Sequence, residues 1–163
     1  MILHLRSLSD TARFGHLVGA RSRPGDLILL FGDLGGGKTT LTQAIARGLE
    51  VPDEHYVSSP SFALLHEYHG RLPLYHMDCY RLMGEEDILA AGLDEYLSTS
   101  GVTVVEWPER LGTLTPEQRL EITLSTGPGD QERTLVLKGC GGNWPERVAE
   151  LRSSFVRQQE NPL

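Results

Sequence analysis

Residues 32–39 read Gly-Asp-Leu-Gly-Gly-Gly-Lys-Thr, which satisfies the pattern G-x-x-x-x-G-K-[ST]. No other stretch limits the possible folds so sharply, because each position answers a chemical need. Glycines let the backbone turn tightly enough for successive N–H groups to point inward at a phosphate, with no Cβ in the way. A helix beginning at Lys38 adds the positive end of its dipole. Lys38 can set a point charge between the terminal phosphates, and the Thr39 hydroxyl can ligate Mg²⁺. The residue frequencies of this chain give roughly 0.003 chance matches over its length. Lysine is scarce, with only Lys38 and Lys138 against 13 arginines. One of those two stands where the loop requires it.

The flanks agree with the loop. Residues 26–31 (Asp-Leu-Ile-Leu-Leu-Phe) are apolar without alternation, as in a strand buried on both faces. Residues 38–49 read as a helix, so strand, loop and helix begin a βαβ unit. An earlier helix is expected over 9–22, opened by the N-cap candidates Ser9 and Asp10. Strands are expected at 62–68, 72–78, 102–107, 120–125 and 133–138, the last two joined across Gly127-Pro128-Gly129-Asp130. Residues 85–98 read as a helix broken at Gly92, and 144–158 as a terminal helix. The 163 residues are thus expected to form one mixed α/β domain over 1–158, with 159–163 as a frayed tail.

Composition removes several functional classes. The longest apolar run, Leu27–Phe31, is far short of the about 20 residues of a membrane span. No signal-peptide pattern opens the chain, so a cytoplasmic location is expected, and Cys79 and Cys140 lack disulfide or zinc spacing. The net charge is −7, from 22 acids against 15 bases. Residues 82–109 hold seven of the acids and no base, so the whole imbalance sits there. Autonomous nucleic-acid binding, dominated by basic contacts to phosphate, is therefore disfavoured. The acidic segment is either a solvated face or a surface for a basic partner.

A phosphate-binding loop of this kind needs acids at neighbouring strand ends to support the metal and orient the attacking group. Two are on offer: Asp78 closes Leu72-Pro-Leu-Tyr-His-Met-Asp, and Glu106 closes Val102-Thr-Val-Val-Glu. In open parallel sheets ligands sit at the carboxyl ends of strands, so both acids can face the phosphates. Spacing does not divide the roles between them. Arg81 either touches phosphate or pairs with Glu85, Glu86 or Asp87. Trp107 reads by itself as packing at a strand end, and Ser58–Ser61 as a turn or a nucleotide-sensing loop. His66 and His69 are three apart rather than four, unlike a metalloprotease motif. No N-K-x-D motif occurs, which favours ATP over GTP.

Four blocks carry a more specific likeness: Gly-Asp-Leu-Gly-Gly-Gly-Lys-Thr-Thr-Leu at 32–41, Ser-Pro-Ser-Phe at 59–62, His-Met-Asp-Cys-Tyr-Arg at 76–81 and Val-Glu-Trp-Pro at 105–108. In order and spacing they resemble the TsaE (formerly YjeE) family of bacterial ATPases of tRNA threonylcarbamoyladenosine biosynthesis. The likeness runs over roughly 8–140. It implies a small P-loop fold with a central, mostly parallel sheet flanked by helices. It also implies ATP and Mg²⁺ as cofactors, and a weak ATPase that depends on the partner proteins TsaD and TsaB. Those partners modify adenosine 37 of tRNAs reading ANN codons, so tRNA would be met only indirectly, and no membrane is involved. The same likeness implies phosphate and nucleotide contacts from Gly35, Gly36, Gly37, Lys38, Thr39 and Thr40. Thr39 and Glu106 would ligate Mg²⁺, and Asp78 would serve the water or the metal. Lys38, Asp78 and Glu106 would be the catalytic groups. Ser59-Pro60 would be a switch-like loop, while Thr11, Trp107 and Arg133 would lie near the nucleotide. Three positions depart from the family pattern: Gly36 for Ala, Ser61 for Thr and Cys79 for Leu.

Two other uses of such a loop compete. A small-molecule kinase needs a cationic lid over the phosphates, and the candidate region 82–109 is acidic. A non-catalytic ATP-sensing adaptor would bind nucleotide without turnover stimulated by a partner.

Overall fold

The structure, a computed structural model, describes residues 1–160. In chain order its elements are β1 (Ile2–Leu5), α1 (Leu8–Arg21), β2 (Leu27–Phe31), α2 (Lys38–Gly48), β3 (Leu65–His69) and β4 (Pro73–Asp78). There follow α3 (Glu85–Ala90), β5 (Val102–Glu106), β6 (Arg119–Thr126), β7 (Arg133–Cys140) and α4 (Trp144–Glu160). Short 3-10 segments cover Leu93–Leu97 and Pro108–Leu114. The strands form a single seven-stranded sheet in the order β1-β7-β6-β2-β5-β4-β3. Its middle is parallel, with β2 between β5 and β6 and β4 beyond β5. Hairpins at both edges add antiparallel strands, so an α/β fold with a mixed sheet, parallel at its centre, is what the chain adopts.

The uniform apolar character of β2 is explained by its place. Ile28 and Leu30 enter a core with α1, α2 and α4, while Leu27 and Leu29 enter a second core under α3 and the 3-10 segments. Neighbouring strands alternate in the same sense. On β4 and β5, Leu74, Val102 and Val104 face α2, while Met77 and Val105, with Cys79 just past β4, face the other way. By that parity His76, Asp78 and Glu106 all lie on the α2 side, and Asp78 and Glu106 are direct neighbours in register. The sheet therefore delivers two acids side by side at its carboxyl edge, on the face that carries the glycine-rich loop.

Several expectations are sharpened. Strand β3 starts at Leu65 rather than 62, because residues 58–64 fold over the end of β4: Asp78 N–H donates to Leu64 O, and Leu64 N–H to Pro60 O. The break at Gly92 is real, with φ 68° between α3 and the 3-10 segment. Strand β1 is an addition; it is only four residues long and depends on pairing with β7. Helix α4 runs to Glu160, two residues into the expected tail, and residues 161–163 lie outside the described residues.

Helices α1 and α2 touch through their backbones. A Cβ at Gly15 would sit 2.4 Å from Ala44 Cβ, one at Gly19 2.1 Å from Ile45 O, and one at Gly48 2.2 Å from His16 O. Ser7 caps α1 by accepting from Asp10 N–H, and the Asp10 carboxylate returns the favour to Arg6 N–H. Phe14 of α1 meets Phe155 of α4 edge to face at 5.4 Å between ring centres. Since the obstacle at Gly19 is a backbone carbonyl, Gly19→Val is expected to destabilise the protein by about 3 kcal/mol. Urea unfolding measures this, and an unchanged midpoint would contradict the packing described.

Candidate functional site

Helix α2 opens without protection. Its N-cap is Gly37 at φ 104°, no side chain caps it, and no acid stands in its first turn. The first N–H groups of a helix lack internal acceptors, so they and the dipole face whatever occupies the space in front. That space is a cleft of about 280 Å³ lined by Gly35, Gly36, Gly37, Lys38, Thr39 and Thr40 on one side. Asp78, Glu106, Trp107, Ser59 and Ser61 line the other. The Lys38 ammonium donates to Gly32 O at 2.6 Å and Asp33 O at 2.9 Å. With three donors on the group, one is left over.

Trp107 turns the chain sharply after β5. It holds the left-handed conformation (φ 55°, ψ 50°), which is uncommon and strained for a bulky residue. The turn lays its ring beneath the Lys38 ammonium, 4.3 Å from the ring centre, and 5.0 Å from the Tyr80 ring centre. Trp107 thus belongs to the cleft and is more than filler at a strand end.

Sequence spacing left the two acids interchangeable, and their partners separate them. Glu106, 3% exposed, accepts on Oε1 from the Thr39 hydroxyl at 3.1 Å and from His76 Nε2 at 2.9 Å. Asp78, also 3% exposed, accepts on Oδ2 from Ser59 and Ser61, and on Oδ1 from Tyr80 N–H at 2.9 Å. So Glu106 is tied to the first turn of α2, and Asp78 to the 58–64 loop. All of these partners are oxygen- or nitrogen-bearing groups suited to hard chemistry. Among the described residues no cluster of three or more His, Cys, Asp and Glu could hold a metal unaided. Thr39 and the two carboxylates fit an ion that takes one or two carboxylates with a neighbouring hydroxyl and completes its shell from phosphates and water.

Two expected site residues do not line this cleft themselves. Thr11 is buried in α1 and its hydroxyl donates to Ser7 O. Arg133, at the start of β7, donates from Nε to Gly36 O at 2.8 Å and from its other nitrogens to Asp130 O and Glu132 O. It ties the start of β7 to the glycine-rich loop through that carbonyl. Arg81 stacks its guanidinium 3.8 Å from the centre of the Phe62 ring. Two of the three acids expected to pair with it are engaged elsewhere, Glu85 accepting from Thr113 N–H and hydroxyl and Asp87 from Met83 N–H, while Glu86 is exposed and forms no ion pair with Arg81. Those hydrogen bonds hold the Glu85 carboxyl below its ordinary range. Sequence reasoning gave His76 no role, although it opens the His-Met-Asp-Cys-Tyr-Arg block and stands two residues before Asp78 on the same face of a strand.

The arrangement defines a class: α/β proteins in which a strand, a glycine-rich loop and an uncapped helix face two strand-end carboxylates. A family model described as "Threonylcarbamoyl adenosine biosynthesis protein TsaE" matches residues 5–135, and the chain belongs to that family. It is similar to the tRNA threonylcarbamoyladenosine biosynthesis protein TsaE of Bacillus subtilis, 41% identical over 87% of each chain. The protein of the same name from Treponema pallidum is 43% identical over 80% of this chain and 96% of its own. A crystal structure of Bacillus subtilis YdiB superposes with a TM-score of 0.79 at 35% identity, covering 94% of this chain and 95% of that one. No helix among the described residues is long and apolar enough to cross a membrane.

Cys79 lies between Asp78 and Tyr80 but points into the core beneath α3. Burial, and then the Asp78 charge, push its thiol up to about 12. A thiol raised so far carries almost no thiolate at neutral pH, and the thiolate is the reactive form. Iodoacetamide at pH 8 is therefore expected to label Cys140 while sparing Cys79 until denaturant is added. Labelling of both at equal rates in the native protein, read by peptide mass spectrometry, would contradict the placement.

Proposed function

We propose that the protein binds and hydrolyses ATP with Mg²⁺ in the formation of threonylcarbamoyladenosine at position 37 of tRNAs reading ANN codons, acting with TsaD and TsaB. The observation that carries this reading is the uncapped start of α2 opening on a cleft where Thr39 meets a buried Glu106. Loop amides and the free donor of Lys38 suit the β- and γ-phosphates. Thr39 can donate its single proton to Glu106 and still offer lone pairs to a cation. Thr39 and Glu106 would hold Mg²⁺, which when bound offsets the charge that builds on the transferring phosphoryl group. Asp78, tied to Ser59 and Ser61, would orient the attacking water and link its position to the 58–64 loop. Trp107 limits water beside Lys38. Family membership supplies the pathway, because the matched relatives are named for it.

Replacing Lys38 or Glu106 by Ala is expected to lower partner-stimulated ATP turnover about 100-fold or more, the usual loss for a group that stabilises transition-state charge. Threonylcarbamoyladenosine in tRNA from cells carrying only the variant should fall in step, as nucleoside mass spectrometry would report. Normal modification with Glu106→Ala would refute the mechanism.

The acidic segment supplies a docking face for TsaD or TsaB. Glu85 and Asp87 are occupied within the fold, so Glu86, Glu95 and Glu109, all exposed, are the acids free to meet a basic partner. Reversing these three to Lys is expected to weaken co-purification with TsaD and TsaB at least tenfold while ATP affinity is kept. Equal loss of both, or loss of neither, would remove the docking role.

A further inference from the structure

One buried polar group at this site has no part in the reading above. His76 is fully buried on β4. Its Nε2 lies 2.9 Å from Glu106 Oε1, while Nδ1 is buried with no hydrogen-bond partner among the described residues. The arrangement settles which nitrogen carries the proton. A proton on Nδ1 would be buried without an acceptor, and the bare Nε2 would turn its lone pair on a carboxylate oxygen. With the proton on Nε2 the ring donates to Glu106, and only a bare acceptor is left unmatched. An unpartnered buried nitrogen carries a free-energy penalty, so a ring kept for packing alone would be better replaced by an apolar one.

We infer that His76 is the positioning residue of Glu106: its Nε2–H and the Thr39 hydroxyl share Oε1, which fixes the carboxylate plane and leaves Oε2 for the cation of the nucleotide complex. The two donors come from different elements, β4 and the first turn of α2, so together they remove the rotation that either alone would permit. Oε2 has no donor among the described residues, and Glu106 lines the cleft. In the sheet, His76 is in register with Val104 and so reaches diagonally to the next residue but one on β5. A planar ring spans that diagonal and keeps its angle, where a shorter hydroxyl or amide of the Ser or Asn type would fall short. Groups that hydrogen-bond a metal-binding side chain from behind in this way set its geometry, and their loss typically lowers metal affinity 10- to 100-fold. This inference rests on the proposal that Glu106 serves Mg²⁺.

The test uses the full chain and calorimetric titration with ATP, once with excess Mg²⁺ and once with EDTA. His76→Phe removes the donor and keeps a ring, while His76→Gln restores an N–H near the place of Nε2. The Phe variant is expected to lose about tenfold in affinity for Mg-ATP and to bind metal-free ATP as the parent does. The Gln variant should recover most of that loss. A Phe variant that binds Mg-ATP like the parent, or that loses both affinities equally, overturns the inference. Long-range ¹H–¹⁵N NMR of the ligand-free parent gives an independent reading: a protonated Nε2 and bare Nδ1 at His76 are expected, and the reverse tautomer overturns the inference even if the Phe variant does not fold. Should the parent bind no ATP at all, the functional proposal fails, while the NMR result still decides whether His76 donates to Glu106.

Discussion

A carboxylate taken out of water must be met by hydrogen-bond donors, or its burial outweighs much of what the rest of the fold contributes. Glu106 is such a group, 3% exposed at the end of a central strand. Its donors come from two separate elements, the first turn of α2 and strand β4. That requirement joins the pieces of this molecule. Strand β5 must carry the acid on the same face as α2, β4 must run parallel to β5 in the register that brings His76 within reach, and α2 must begin where Thr39 can donate. The glycine-rich loop is the connection that lets α2 start there. Gly32, at φ 147°, passes so close to β6 that a Cβ would stand 2.7 Å from Leu124 O.

The two acids therefore sit side by side yet belong to different mechanical units. Glu106 is fastened to rigid parts, since α2 is pressed against α1 at Gly15, Gly19 and Gly48 with no room to shift. Asp78 is fastened to a loop that carries exposed Phe62, 83% accessible, with Arg81 stacked on its ring. One carboxylate reports the position of the sheet, and the other the position of the 58–64 loop. Sequence spacing treats them as equals; only their hydrogen-bond partners tell them apart.

The legible parts of the chain were those written in local chemistry. The strand–loop–helix unit could be read because glycines, Lys38 and an unalternating apolar run are each demanded by nearby geometry. The hairpins at β3–β4 and β6–β7 could be read from their turn residues. What escaped depends on distant pairing. Strand β1 exists because β7 offers an edge, and four residues with alternating burial give too short a pattern to stand alone. Arg133 was expected near the nucleotide, and the fold sets its Nε on Gly36 O of the glycine-rich loop, a contact across 97 residues that no local pattern announces. Arg81 was expected either at phosphate or among nearby acids. Its guanidinium stacks on the Phe62 ring, a partner no local spacing announces, while Glu85 and Asp87 accept from backbone donors elsewhere in the fold. His76 is the clearest loss, since its partner lies 30 residues away on the next strand.

The left-handed turn at Trp107 has one more consequence. The chain holds two tryptophans, and they stand at opposite ends of β2. Trp144 is packed under Arg147, whose guanidinium pairs with Asp26 just ahead of that strand. Trp107 lies past its other end, half-buried and touching the Lys38 ammonium. The strained turn thus sets one indole against the Lys38 ammonium in the cleft, while the other is held under a salt-bridged arginine away from it.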